Sequence, residues 1–289
     1  MSATSTLHPP GRLARFARLC WRRKAASAGA LITLLMLLVA IFAPWIAPHD
    51  PNEQDILSRM AGPSADYLLG NDTYGRDILS RIIWGARVSL FIGVTAIGAA
   101  MVIGGTLGVL AGYFGGKLDR LIMAVMDMLL SFPSLVMGLL VVAVLGPTTL
   151  NLIIAIAFTA IAPFARIARA PTMAVKQRDF IEAGRALGYS DLRIMAVHVL
   201  PNILDEIMVL GSLWLATAIR TEASLSFIGL GVRPPTATWG GMIRDGFENM
   251  LDAPGLVIYP SIAILIIMVA LNLLGDGLRD ATDPKLRHE

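Results

Sequence analysis

Residues Asp179 to Pro201 read DFIEAGRALGYSDLRIMAVHVLP, a polar, helix-patterned insert between long apolar segments. Asp179 and Glu182 have the N-cap and N3 spacing of a capping box, with Asp in place of the usual Ser or Thr. A short helix is expected from Phe180 to Leu187. Gly188 then supplies the left-handed residue that closes a helix without steric cost. Ser190 is a good N-cap for a second helix, and Asp191 suits its positive end. Pro201 is the expected boundary after it. The pattern predicts a helix, a hinge and a helix, amphipathic and lying along a membrane surface.

The flanking segments supply that membrane. The chain of 289 residues is 55% hydrophobic and 16% charged, where a soluble domain carries about 25% charge. Its mean hydropathy is +0.67. Runs of about eighteen or more apolar residues recur, as membrane-spanning helices require. Six spans are expected, at about Ala25–Ile46, Val88–Gly112, Leu121–Leu145, Leu150–Ala168, Ile207–Leu230 and Leu256–Leu274. The insert falls between the fourth and fifth, in a loop of about 169–205. The predicted fold is therefore an all-α polytopic membrane protein. Residues 1–24 form an N-terminal segment and 25–289 a single membrane domain. The first span is too long for a cleaved secretory signal, and five more follow it, so it reads as an uncleaved anchor.

Basic residues set the orientation. Arg12, Arg15, Arg18, Arg22, Arg23 and Lys24 precede the first span. The same side carries Lys117 and Arg120, then Arg166, Arg169, Lys176, Arg178, Arg185 and Arg193, then Arg279, Lys285 and Arg287. The opposite loops hold only Arg59, Arg76, Arg81, Arg233 and Arg244. Seventeen against five puts both termini and the insert in the cytoplasm by the positive-inside rule.

Other features bound the chemistry. A lone Cys20 excludes an internal disulfide, and His8, His49, His198 and His288 have no metal-ligand spacing. Lys117 follows Gly115 and Gly116, but a phosphate loop needs glycine where Ala111 stands and Ser or Thr where Leu118 stands. No nucleotide site, hydrolase elbow or zinc-protease motif is present in the sequence. Ala96, Ala100, Gly104, Gly108, Gly112 and Gly116 recur every four residues, a small-residue stripe for close helix approach within the bundle or between subunits. Asp127, Arg220 and Glu222 fall in or near apolar helices, where ionisable groups are costly. They are candidates for a translocation path, or for structural ion pairs. Pro133 and Pro163 are expected as tolerated kinks within spans.

The insert resembles the cytoplasmic signature loop of ABC importer permeases. That loop runs Glu-Ala-Ala, three residues, Gly, nine residues, Ile, any residue, Leu-Pro. Here Glu182, Ala183, Gly188, Leu200 and Pro201 match it, while Gly184 replaces the second Ala and His198 the Ile. Gly184 is expected to loosen the helix slightly. Leu69–Arg81 (LGNDTYGRDILSR), Gly85–Leu90 (GARVSL), Glu222–Gly231 (EASLSFIGLG) with Pro234-Pro235 and Trp239-Gly240, and Asn272–Asp280 (NLLGDGLRD) are similar to the dipeptide, oligopeptide and nickel branch. The chain looks like the second, C-type permease of a pair. The resemblance implies a bacterial inner-membrane subunit with a second homologous permease, two cytoplasmic ATPase subunits and an external solute-binding protein as partners, besides membrane lipid and with no nucleic acid. It implies that ATP and Mg are held by the ATPases, with no cofactor or catalytic residue on this chain. Asp179, Glu182, Ala183, Gly184, Gly188, Ser190, Asp191, Leu200 and Pro201 would form the coupling loop. The cargo would be a short peptide, with a nickel chelate as alternative. A self-contained ion-coupled carrier using Glu222 or Asp127, or an intramembrane enzyme, would have no need of such a loop.

Overall fold

A computed structural model describes residues 24–282. The N-terminal arginines, Cys20, His8, Lys285, Arg287 and His288 lie outside the described residues. The helices are α1 (Lys24–Ile46), α2 (Ile78–Phe114), α3 (Gly116–Leu130), α4 (Ser134–Leu145), α5 (Thr149–Val175), α6 (Asp179–Ala186), α7 (Asp191–Ile228), α8 (Trp239–Phe247) and α9 (Gly255–Thr282). No strand occurs among the described residues. Among the described residues five helices are long and apolar enough to cross a membrane, and α3 with α4 form a sixth, bent candidate.

The third expected span is thus not one helix. Its two halves meet at 90° across Ser131–Pro133. Pro133 has no N–H to continue the ladder, and it pushes Phe132 out of the helical region. The residue is a break here rather than a kink, with Pro133 itself extended at ψ 130. Pro163, by contrast, stays inside an unbroken α5.

The small-residue stripe settles α2 against α5. A Cβ on Gly104 would lie 2.4 Å from the Ile161 carbonyl oxygen, and one on Gly112 would lie 2.6 Å from that of Arg169. Only glycine lets the two backbones approach so closely. The stripe therefore serves packing within this bundle. Gly116 falls past the end of α2 with nothing beside it. Ile92, Phe164 and Ile203 pack a first core from α2, α5 and α7. Trp239, Ile267 and Leu271 anchor a second, which joins α1, α2, α7, α8 and α9. One face of α1 leaves Leu31, Leu34, Ile41 and Phe42 exposed, as contact with hydrocarbon requires.

Two ion pairs fasten α3 to α5. Arg169 grips Asp119 in bidentate fashion at 2.5 and 2.6 Å. Arg166 reaches Asp127 at 2.5 Å.

Candidate functional site

The insert folds at one end of the bundle. Helix α6 starts one residue earlier than the capping-box register requires: Arg178 is its N-cap and makes no side-chain cap bond. The expected Asp179–Glu182 box is not formed. Both carboxylates lie in the first turn instead, where they oppose the helix dipole at ~0.3–1 kcal/mol each. The other end matches expectation. Gly188 has φ +78. Its N–H bonds the Arg185 carbonyl at 2.9 Å, and the Tyr189 N–H bonds that of Gly184 at 3.0 Å. These two bonds make a Schellman closure. Ala183 accepts from the Leu187 N–H at 3.0 Å. Gly184 is where the Tyr189 ring lands, since a Cβ there would sit 3.2 Å from Tyr189 Cδ2.

Ser190 caps α7 as expected, its hydroxyl accepting from the Arg193 N–H. Beyond it the reading needs correction. No boundary occurs at Pro201, because the second helix of the insert runs straight into the fifth span as one helix of 38 residues. A π-helical stretch at Ile194–Val199 precedes the proline, and the Leu200 N–H bonds Met195 five residues back. Widening the turn accommodates a residue without an N–H, so the helix bulges rather than ends. Likewise α5 continues to Val175, well past Ala168. The expected loop of 169–205 shrinks to the segment between Val175 and Asp191.

That segment is bolted down from inside. Ile181, Ile194 and Val199 are buried in the first core. His198 stacks on Tyr189 at 5.7 Å with rings 5° apart, and the Arg193 guanidinium lies 4.3 Å over the same Tyr189 ring. Facing outward, Leu187 and Leu192 are 73% and 74% exposed, with Phe180 at 40%. Three bare apolar side chains around the turn form an exposed apolar knuckle.

Tyr113, near the end of α2, was not singled out by sequence reasoning. Its hydroxyl donates to Asp191 Oδ1 at 2.5 Å. Lys176 Nζ donates to its carbonyl oxygen at 2.6 Å. The Arg185 guanidinium lies 5.6 Å over its ring. The hydrogen bond to the Tyr113 hydroxyl raises the Arg185 pKa further above its ordinary value, so the charge is secure.

The opposite end gathers the remaining motifs. Asp77 caps α2, accepting from the Ser80 N–H at 2.8 Å. Arg76 pairs with Asp72 at 2.6 Å and with Asp245 at 3.3 Å. Trp239 Nε1 donates to the Ile82 carbonyl at 3.0 Å. Glu222 is fully buried, and accepts from the Ser89 hydroxyl at 2.9 Å and the Ser226 hydroxyl at 2.7 Å. Arg220, two residues away, is exposed on another face of α7. Asp127 is half-exposed in its pair with Arg166. The three ionisable candidates are therefore not brought together. Among the described residues no group of His, Cys, Asp and Glu is arranged to hold a metal ion.

Comparison with known proteins agrees across nearly the whole chain. Residues 104–288 match the family model of the binding-protein-dependent transport system inner membrane component. Residues 13–63 match the N-terminal TM domain of oligopeptide transport permease C. A glutathione transport system permease protein of Pectobacterium atrosepticum is 42% identical over 272 residues, 92% of this chain and 90% of that one. A di/tripeptide transport system permease protein of Pseudomonas aeruginosa is 42% identical over 285 residues, covering 96% and 94%. Among solved structures, an inward-facing conformation of the MetNI methionine ABC transporter aligns with TM-score 0.58 at 18% identity, over 71% of this chain and 98% of that one.

Proposed function

The chain belongs to the family of binding-protein-dependent transport system inner membrane components, as a multi-pass permease subunit of an ABC importer, and on that premise we propose that its cargo is a short peptide. The proposal extends to the assembly. A second permease completes the path, one of two ATPase subunits docks on the α6 knuckle, and a solute-binding protein delivers cargo at the opposite end. ATP and Mg are held by the ATPase chains, and this chain catalyses nothing. Both termini and α6 face the cytoplasm. The observation that carries this reading is the knuckle itself: a glycine-closed turn, with Ser190 capping the helix after it and Leu187 and Leu192 bare, fixed to the bundle from beneath.

Of the ionisable residues, Arg220 is the one we assign to the path, because its side chain lies exposed on a membrane-length helix. A guanidinium there suits the carboxylate of a peptide. Glu222, sealed between two serine hydroxyls, braces α7 against α2. Asp127 braces α3 against α5.

Reconstitution tests the reading. The full complex in liposomes is expected to accumulate labelled di- or tripeptide only with ATP on the α6 side and loaded binding protein on the other. The purified chain alone is expected to hydrolyse no ATP. Uptake by the chain without ATPase subunits, driven by an ion gradient, would replace this reading with that of a secondary carrier.

A further inference from the structure

Both feet of the docking segment stand on one residue. Lys176, the C-cap of α5, donates to the Tyr113 carbonyl at 2.6 Å. Asp191, the first residue of α7, accepts from the Tyr113 hydroxyl at 2.5 Å. Between these feet, Arg185 in the last turn of α6 lies over the same ring. Tyr113 itself is 3% exposed. One residue back, Gly112 is locked against α5, leaving no room for a Cβ beside the Arg169 carbonyl and Thr172. A displacement of α6 therefore has no slack at either foot. It is delivered to the end of α2, a helix of 37 residues and roughly 55 Å. About two thirds of the way along α2 from Tyr113, the Ser89 hydroxyl donates to Glu222 of α7.

We propose that Tyr113 is the positioning residue through which movement of the docking segment reaches α2, and so the transport path. It touches neither cargo nor nucleotide. Its hydroxyl makes the charge-assisted bond to Asp191 that keeps α7 in step with α2. This inference rests on the importer reading above.

Tyr113→Phe keeps the ring under Arg185 and removes the hydroxyl's bonds to Asp191 and Arg185. In the reconstituted full complex, peptide taken up per ATP hydrolysed is expected to fall about tenfold, within the usual range of coupling between sites. Membrane abundance and ATPase pull-down are expected to stay within about twofold of the unsubstituted protein, because the buried ring stays packed and the exposed Asp191 carboxylate is rehydrated. Asp191→Leu should give the same loss. The double variant should be no worse than Tyr113→Phe alone, because the Tyr113–Asp191 bond is already broken there. A coupling ratio unchanged in Tyr113→Phe would overturn the proposal. So would losses that add in the double variant, or abundance and ATPase association that fall in parallel with uptake, which would mark a mere brace. Absence of ATP-driven uptake in the unsubstituted complex would instead overturn the importer reading itself, so the two failures are distinct.

Discussion

Gly188→Val is expected to abolish uptake while leaving the chain in the membrane. The glycine sits at φ +78 with nothing within 4 Å of the site a Cβ would occupy. The penalty is therefore one of backbone conformation, not of collision. A left-handed residue costs an ordinary side chain ~1–2 kcal/mol, and a β-branched one more. The cheapest relief is to abandon the left-handed turn. That breaks the two Schellman bonds from Gly188 and Tyr189 and lets α6 swing about Tyr189. Leu187 and Leu192 then no longer share one knuckle. None of this touches the packed spans, so abundance should hold. ATPase pull-down and uptake should both collapse. Gly188→Asn gives the graded control, since Asn tolerates the left-handed region, and it should keep most of both activities. Normal uptake at normal abundance in Gly188→Val would show that the turn plays no part in coupling.

Gly108→Val should fail earlier, at folding. A Cβ there would lie 2.2 Å from the Ala165 carbonyl oxygen and 2.8 Å from the Ala168 Cβ. The first of these is backbone, so no rotamer change relieves it. The α2–α5 pair would have to part along its length. Overpacking of this kind costs ~3 kcal/mol or more, roughly a hundredfold in a folding equilibrium. Little protein should be recovered from the membrane. Gly98→Val on the same helix has open space around it, and should change recovery by no more than about twofold. Equal recovery of both variants would mean that the stripe does not carry the helix pair.

Hydropathy made five of the spans legible because each apolar run is long enough to stand alone. It could not mark where helices continue past the hydrocarbon. Ile78 to Arg87 of α2, and the first turns of α7 up to Glu206, are polar enough to read as loop yet lie in unbroken helix. Proline was misread in both directions. Pro133 breaks a span read as continuous, while Pro201 sits inside a helix expected to end. What decides is whether the neighbouring turn can widen, as the π-stretch before Pro201 does. Local signals with local partners, Gly188 and Ser190, were legible from their neighbours. The register of Asp179 and Glu182 was not, since Arg178 offered no competing cap signal. Tyr113 carried none at all: its partners Lys176 and Asp191 are 63 and 78 residues away. The same distance problem hid Ser89 with Glu222, although the motifs that contain them were recognisable separately.

The central claim is that the α6 segment receives an ATPase from the cytoplasm. A photocrosslinking residue at Leu187, the bare apolar tip of the knuckle, measures this in intact cells with no purification of the complex. Illumination is expected to yield one major adduct, whose partner is a cytoplasmic chain carrying a phosphate loop, identified by mass spectrometry. The adduct should vanish when Gly188→Val is combined with it. An adduct to the external binding protein would invert the orientation, and adducts to lipid or to no nucleotide-binding chain would contradict the account.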